Sequence, residues 1–166
     1  MKFKEYVEKS KETMIYPTEK ELISCMTLGI IEEYAEVEEE IGYHMFAGNT
    51  YHTKILAELG DLCFYVFNLC DHFDYVPYNE TGECFTLETH APKLAQVIKK
   101  VIRDDNYKLT NKKRADTFYW LMECAYSYIL YVCEIHDFKL SEVLQYNVDK
   151  LQGRKKRNTI GGDGDR

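Results

Sequence analysis

Lys54-Ile55-Leu56-Ala57-Glu58-Leu59-Gly60-Asp61-Leu62-Cys63-Phe64-Tyr65-Val66-Phe67-Asn68-Leu69 is the stretch on which the fold turns. Its apolar residues recur at three and four and cover so much of a helical circumference that most of it must be buried. A helix is therefore predicted from about Tyr51 to Phe73, in the middle of a bundle. Its few polar residues align: Lys54, Glu58, Asp61, Tyr65 and Asn68 are spaced by four, three, four and three, along one face. Charge in so apolar a helix is expensive unless it is used.

The chain on either side also reads as helix, since no long segment alternates. A short helix is expected from Phe3 to Thr13, ending before Tyr16-Pro17. Thr18-Glu19-Lys20-Glu21 has the spacing of a capping box and opens a long helix that carries Leu22, Cys25, Met26, Ile30, Ala35, Val37 and Ile41. That helix is expected to stop near Gly48-Asn49, with Thr50 capping the next. Val76 to Leu87, with Pro77, Asn79 and Gly82, reads as a loop. A fourth helix presents Leu94, Val97, Ile98, Val101 and Ile102 opposite a lysine-rich side. Asp104 to Asn111 connects it to a helix from Lys112 to His136. Ser141 is expected to cap the last, bearing Leu144, Val148 and Leu151.

Length and composition fit this reading. At 166 residues and 45% hydrophobic, the chain is one all-α domain of residues 1–153, followed by a basic, glycine-rich tail of 154–166. No run reaches the roughly 18 apolar residues of a membrane span, and the start lacks a signal core, so a cytoplasmic protein without membrane contact is expected. The six cysteines form no C-x-x-C pair and read as reduced core thiols rather than zinc ligands or a disulfide framework. A net charge of −7 argues against nucleic-acid binding.

The charge is unevenly spread. Six of the nine residues from Glu32 to Glu40 are glutamate, while Lys150, Arg154, Lys155, Lys156 and Arg157 crowd the other end. Glu33 and Glu36 stand at i, i+3 on the long helix, as do Glu58 and Asp61 on the next, and the intervening chain allows an antiparallel return. Two carboxylate pairs facing each other repel unless cations neutralise them. An all-oxygen set suits magnesium, with manganese as a substitute, and a substrate that carries phosphate. Glu38, Glu39 and Glu40 read as a solvated face. Tyr65 and Asn68 are open between ligand contact and interhelical packing.

Glu33-Tyr34-Ala35-Glu36 and Glu58-Leu59-Gly60-Asp61, with the doubled acid Glu32-Glu33 and the continuation Leu62-Cys63-Phe64-Tyr65, resemble the MazG-like all-α nucleoside triphosphate pyrophosphohydrolases, whose signature is E-x-x-E, a spacer and E-x-x-D. The run from Asn147 to Arg154, with Arg157 and the terminal Gly-Asp-Gly-Asp, is similar to phage and bacterial proteins of that kind. The resemblance implies a four-helix core with additional helices, a homo-oligomer (dimer or tetramer), and Mg2+-dependent cleavage of a nucleoside triphosphate to monophosphate and pyrophosphate. Glu33, Glu36, Glu58 and Asp61 would then hold metal, and Glu32 or Glu33 would orient or deprotonate the attacking water. Lys54, Lys150, Arg154 and Arg157 would neutralise phosphate, with Tyr65 and Asn68 along the same groove.

Two rival readings come from other features. His136-Asp137, with His72 and Asp149, raises a metal phosphohydrolase of HD type. A non-enzymatic helical interaction module would leave the glutamates as surface. No E-x-x-H occurs, which sets aside a di-iron bundle.

Overall fold

The computed structural model describes residues 1–47, 52–78 and 82–160. Among them the chain is all-α, with six helices: α1 Phe3–Lys11, α2 Glu19–Ala47, α3 His52–His72, α4 Ala91–Asp104, α5 Lys112–Ile135 and α6 Leu140–Lys156. No helix among the described residues is long and apolar enough to cross a membrane.

As its composition requires, α3 is the hub, packing on α1, α2, α5 and α6, while α4 lies across α2 and α5. Its buried residues include Leu59, Leu62, Cys63, Val66, Phe67 and Leu69. On α2 the buried stripe runs through Ile23, Met26, Ile30 and Val37, whereas Ala35 faces solvent. The inward face is thus turned slightly from the one expected. On α4, Leu94, Val97, Ile98 and Val101 are buried and Lys93 and Lys99 exposed, as the pattern indicates.

Helix ends follow local chemistry. The Glu21 backbone N–H donates to Thr18 Oγ1 at 3.2 Å, and the Thr18 hydroxyl donates back to the Glu21 carboxylate at 2.7 Å. This caps α2 with a variant of the expected box. Asn111 caps α5 by accepting from the Arg114 N–H at 3.1 Å. Ser141 does not cap α6. The helix starts two residues earlier, behind Lys139, whose backbone N–H donates to Glu142 at 3.3 Å. Nor does α6 end at Gly153: Arg157 N–H donates to the Gly153 carbonyl at 3.1 Å, so the expected boundary falls inside a helix. α1 ends at Lys11 rather than Thr13, whose hydroxyl turns back onto the Ser10 carbonyl.

The described residues of the connection before α4 form no helix, yet Phe85 among them is 1% exposed and its N–H donates to the Cys124 carbonyl at 3.0 Å. The expected stop at Gly48-Asn49, the Thr50 cap, Asn79 and the Gly-Asp repeat after Ile160 lie outside the described residues. All six cysteines are free thiols. Cys63, Cys70, Cys124 and Cys133 are buried, and Cys25 and Cys84 are half-buried.

Candidate metal centre

Glu33 holds a core position. It continues the buried stripe Ile23, Met26, Ile30 of α2 toward Val37, and only 9% of it is exposed. Its turn faces Glu58 on α3, and carboxylate oxygens of Glu33, Glu36 and Glu58 all lie within 4.8 Å of one another. Burial pushes the Glu33 carboxyl up to about 9, helped by the negative charges of Asp61, Glu36 and Glu58 and opposed by Lys150. Glu58 is raised too, by burial first, with Lys150 opposing and Asp61, Glu36 and Glu40 adding to the rise. Glu33 Oε2 is buried with no hydrogen-bond partner, which such an atom rarely tolerates.

Asp61 lies beside this trio but is engaged by α6. Asn147 Nδ2 donates to its Oδ1 at 2.6 Å, and the Lys150 ammonium forms a short ion pair with Oδ2. Asn147 is itself fully buried, its Oδ1 accepting from the Tyr6 hydroxyl at 2.7 Å. This close approach of α6 to α3 needs Gly60: a Cβ there would stand 3.0 Å from the Asn147 Cβ.

A cavity of about 110 Å³ opens next to Glu33 and Asp61, bordered by Tyr16, Tyr65, Arg154 and Ile160. At about 30 Å³ per water it has room for three or four water molecules. Burial raises the Tyr65 phenol well above its usual value, and Tyr16, Glu33, Asp61 and Glu32 add to the rise, so Tyr65 is a neutral donor at ordinary pH.

Of the residues singled out in the sequence, the structure brings Glu33, Glu36, Glu58, Asp61, Tyr65, Lys150 and Arg154 to one place. Glu32 is exposed on the adjoining turn of α2. Lys54 is exposed and paired with Glu40 at 3.7 Å. Arg157 is exposed at the C-cap of α6.

Asn68 is a correction. Its amide donates to Ser10 Oγ and the Phe64 carbonyl and accepts from Ser10, so it joins α1 to α3 rather than lining the groove. Glu38 and Glu40 also depart from a purely solvated face. Glu38 accepts from the Tyr128 hydroxyl at 2.6 Å, and one oxygen of Glu40 is buried.

Sequence reasoning named neither Asn147 nor Tyr6 as a site residue. The available signal was a polar residue inside the apolar stripe Val143, Leu144, Val148 of α6. A second group, Glu83, His90 and Cys124, also converges within 4.8 Å. There His90 Nδ1 accepts from the Thr86 N–H at 3.0 Å, which leaves the neutral ring's proton on Nε2, facing Glu83 at 3.3 Å. That nitrogen is buried and makes no hydrogen bond, the Glu83 carboxylate standing near it without accepting from it. His136 sits at the C-cap of α5, its carbonyl 3.1 Å from His52 Nε2. Among the described residues, His136, Asp137, His72 and Asp149 form no converging group of metal donors.

No protein-family model matches the chain, and no solved structure matches it. The Gene 37 protein of Mycobacterium phage L5 is 33% identical over 96 residues, which cover 58% of this chain and 80% of that protein. The chain belongs to the family of the phage L5 Gene 37 protein.

Proposed function

We propose that the protein is a cytoplasmic, Mg2+-dependent nucleoside triphosphate pyrophosphohydrolase that releases monophosphate and pyrophosphate. The observation that carries the reading is the convergence of Glu33, Glu36 and Glu58 with a buried, unpartnered Glu33 Oε2. Three carboxylates in so small a space repel, and a proton on Glu33 is the makeshift answer; a hard divalent cation is the better one. The donor set fits, being oxygen throughout and next to a cavity rather than sealed in the core.

Glu33, Glu36 and Glu58 would hold the metal, with Asp61 as a further ligand once released from Lys150. Bound there, Mg2+ supplies Lewis acidity toward phosphate oxygens and lowers the pKa of water. Arg154 lines the cavity and Lys150 pairs with Asp61 beside it, and both would bring positive charge to the polyphosphate. Glu32, exposed and outside the converging trio, would take the proton of the attacking water as the P–O anhydride bond breaks. Lys54 and Arg157, both exposed, contribute long-range attraction for the substrate.

Incubating the full chain with ribo- and deoxynucleoside triphosphates and Mg2+ tests this. Monophosphate and pyrophosphate are the expected products. Diphosphate and orthophosphate, or no turnover across the panel, would contradict it. A dimer or tetramer belongs to the same proposal, and light scattering on the purified chain reads it.

A further inference from the structure

The charge of Asp61 is already answered. Both its oxygens are taken by α6, Oδ1 by Asn147 at 2.6 Å and Oδ2 by the Lys150 ammonium. The pair is shielded: the Asp61 side chain is 15% exposed and the Lys150 side chain 16%. The two donors differ in kind. Asn147 is locked, since its Oδ1 accepts from the wholly buried Tyr6 hydroxyl at 2.7 Å and flipping the amide would break both bonds. Lys150 is a point charge on a flexible four-carbon stem. It holds by one contact and lets go without dismantling a bidentate fork. Alongside stand Glu33, Glu36 and Glu58, whose carboxylate oxygens converge within 4.8 Å and of which Glu33 and Glu58 feel the charge of both Asp61 and Lys150.

We propose that Lys150 is a resident counter-cation. Its ammonium holds Oδ2 of Asp61, and a divalent ion reaches Asp61 by exchange with it, while Tyr6 and Asn147 hold the other oxygen in place. The inference rests on the metal-site reading above and adds to it a built-in competitor. Asp61 Oδ2 cannot give its strongest bond to both cations, so the ion pair lowers the affinity of the site for bare metal. Asn147 is neutral and sits on the other oxygen, so it need not move. It acts as a positioning residue.

Titrating Mn2+ into the full chain and following free Mn2+ by electron paramagnetic resonance tests the exchange. The wild type is compared with Lys150→Gln, Asp61→Asn and the double variant. Lys150→Gln is expected to bind Mn2+ about tenfold tighter, the order set by losing one competing charge-assisted hydrogen bond. In the Asp61→Asn background a clearly smaller gain is expected, because Lys150 then acts on Glu33 and Glu58 only through its charge. Equal or weaker binding by Lys150→Gln, or a gain that persists undiminished without Asp61, overturns the exchange. Lys150→Met, which keeps the stem, replaces the glutamine variant if circular dichroism shows that variant misfolded. Absence of Mn2+ binding in every variant overturns the metal centre itself. The expected gain without nucleotide turnover upholds the exchange and overturns the hydrolase reading.

Discussion

The ring of Tyr65 on α3 lies so close to Gly29 on α2 that a Cβ at Gly29 would stand 2.4 Å from its Cδ1 and Cε1. This contact sets how closely the two helices bearing the acidic residues approach. Gly29→Ala gains about 1 kcal/mol of helix propensity but must expel a half-buried ring, at about 1–3 kcal/mol. Net destabilisation is expected, with weaker Mn2+ binding as α2 and α3 part. In a Tyr65→Ala background the alanine is expected to be neutral or stabilising, which thermal melts of the four proteins will read.

Glu33 makes stability depend on pH. Unfolded, it titrates near 4.5; folded, near 9. Between those values the folded chain retains a proton that the unfolded chain has released, so stability present at low pH is lost as pH rises toward 9. Glu58 is raised as well and adds the same sign. In chelator, the melting temperature of the wild type is expected to fall from pH 5 to pH 9 more steeply than that of Glu33→Gln. Added Mg2+ is expected to recover most of the loss at pH 8 in the wild type and little of it in the variant.

Glu36→Gln and Glu58→Gln remove charge from the converging trio without removing volume. Both side chains are half-buried and their helices are held by other residues, so helical circular dichroism is expected to stay intact. Nucleotide turnover is expected to drop at least about 100-fold, as for loss of a group that stabilises transition-state charge. Turnover within about threefold of wild type in either variant would remove that residue from the ligand set.

Tyr6→Phe deletes a hydroxyl 0% exposed and strands Asn147 Oδ1 in the core. The expected cost is about 1–3 kcal/mol, since a buried acceptor is left without its donor. Because Asn147 then loses its fixed orientation, Mn2+ affinity is expected to fall as well. Ser10→Ala, which loosens the α1–α3 contact at Asn68 instead, is expected to lower the melting temperature without that change in affinity.

How much was legible in the sequence depended on distance along the chain. Local patterns carried through: the apolar α3 at the centre, the Thr18 cap, the amphipathic α4, and the two acidic pairs at i, i+3. Asn68 was misplaced because sharing a helix face is not sharing a site: it lies two turns beyond Asp61, about 10 Å further along the axis. There the neighbour is Ser10 of α1 rather than the acidic trio. The hold on Asp61 was invisible for a different reason. Asn147 is 86 positions away and Tyr6 lies 141 positions from Asn147, and no local period encodes which helices meet. Glu33 did carry a signal, since it interrupts the stripe Ile23, Met26, Ile30, Val37, and a charge in a core-facing position demands a partner.

The position of a bound divalent ion is the most direct test. Crystals grown with Mn2+ and measured at a wavelength where manganese scatters anomalously are expected to show a peak bonded to oxygens of Glu33, Glu36 and Glu58. A chain saturated with Mn2+ that shows no peak there, or only peaks elsewhere, would contradict the account.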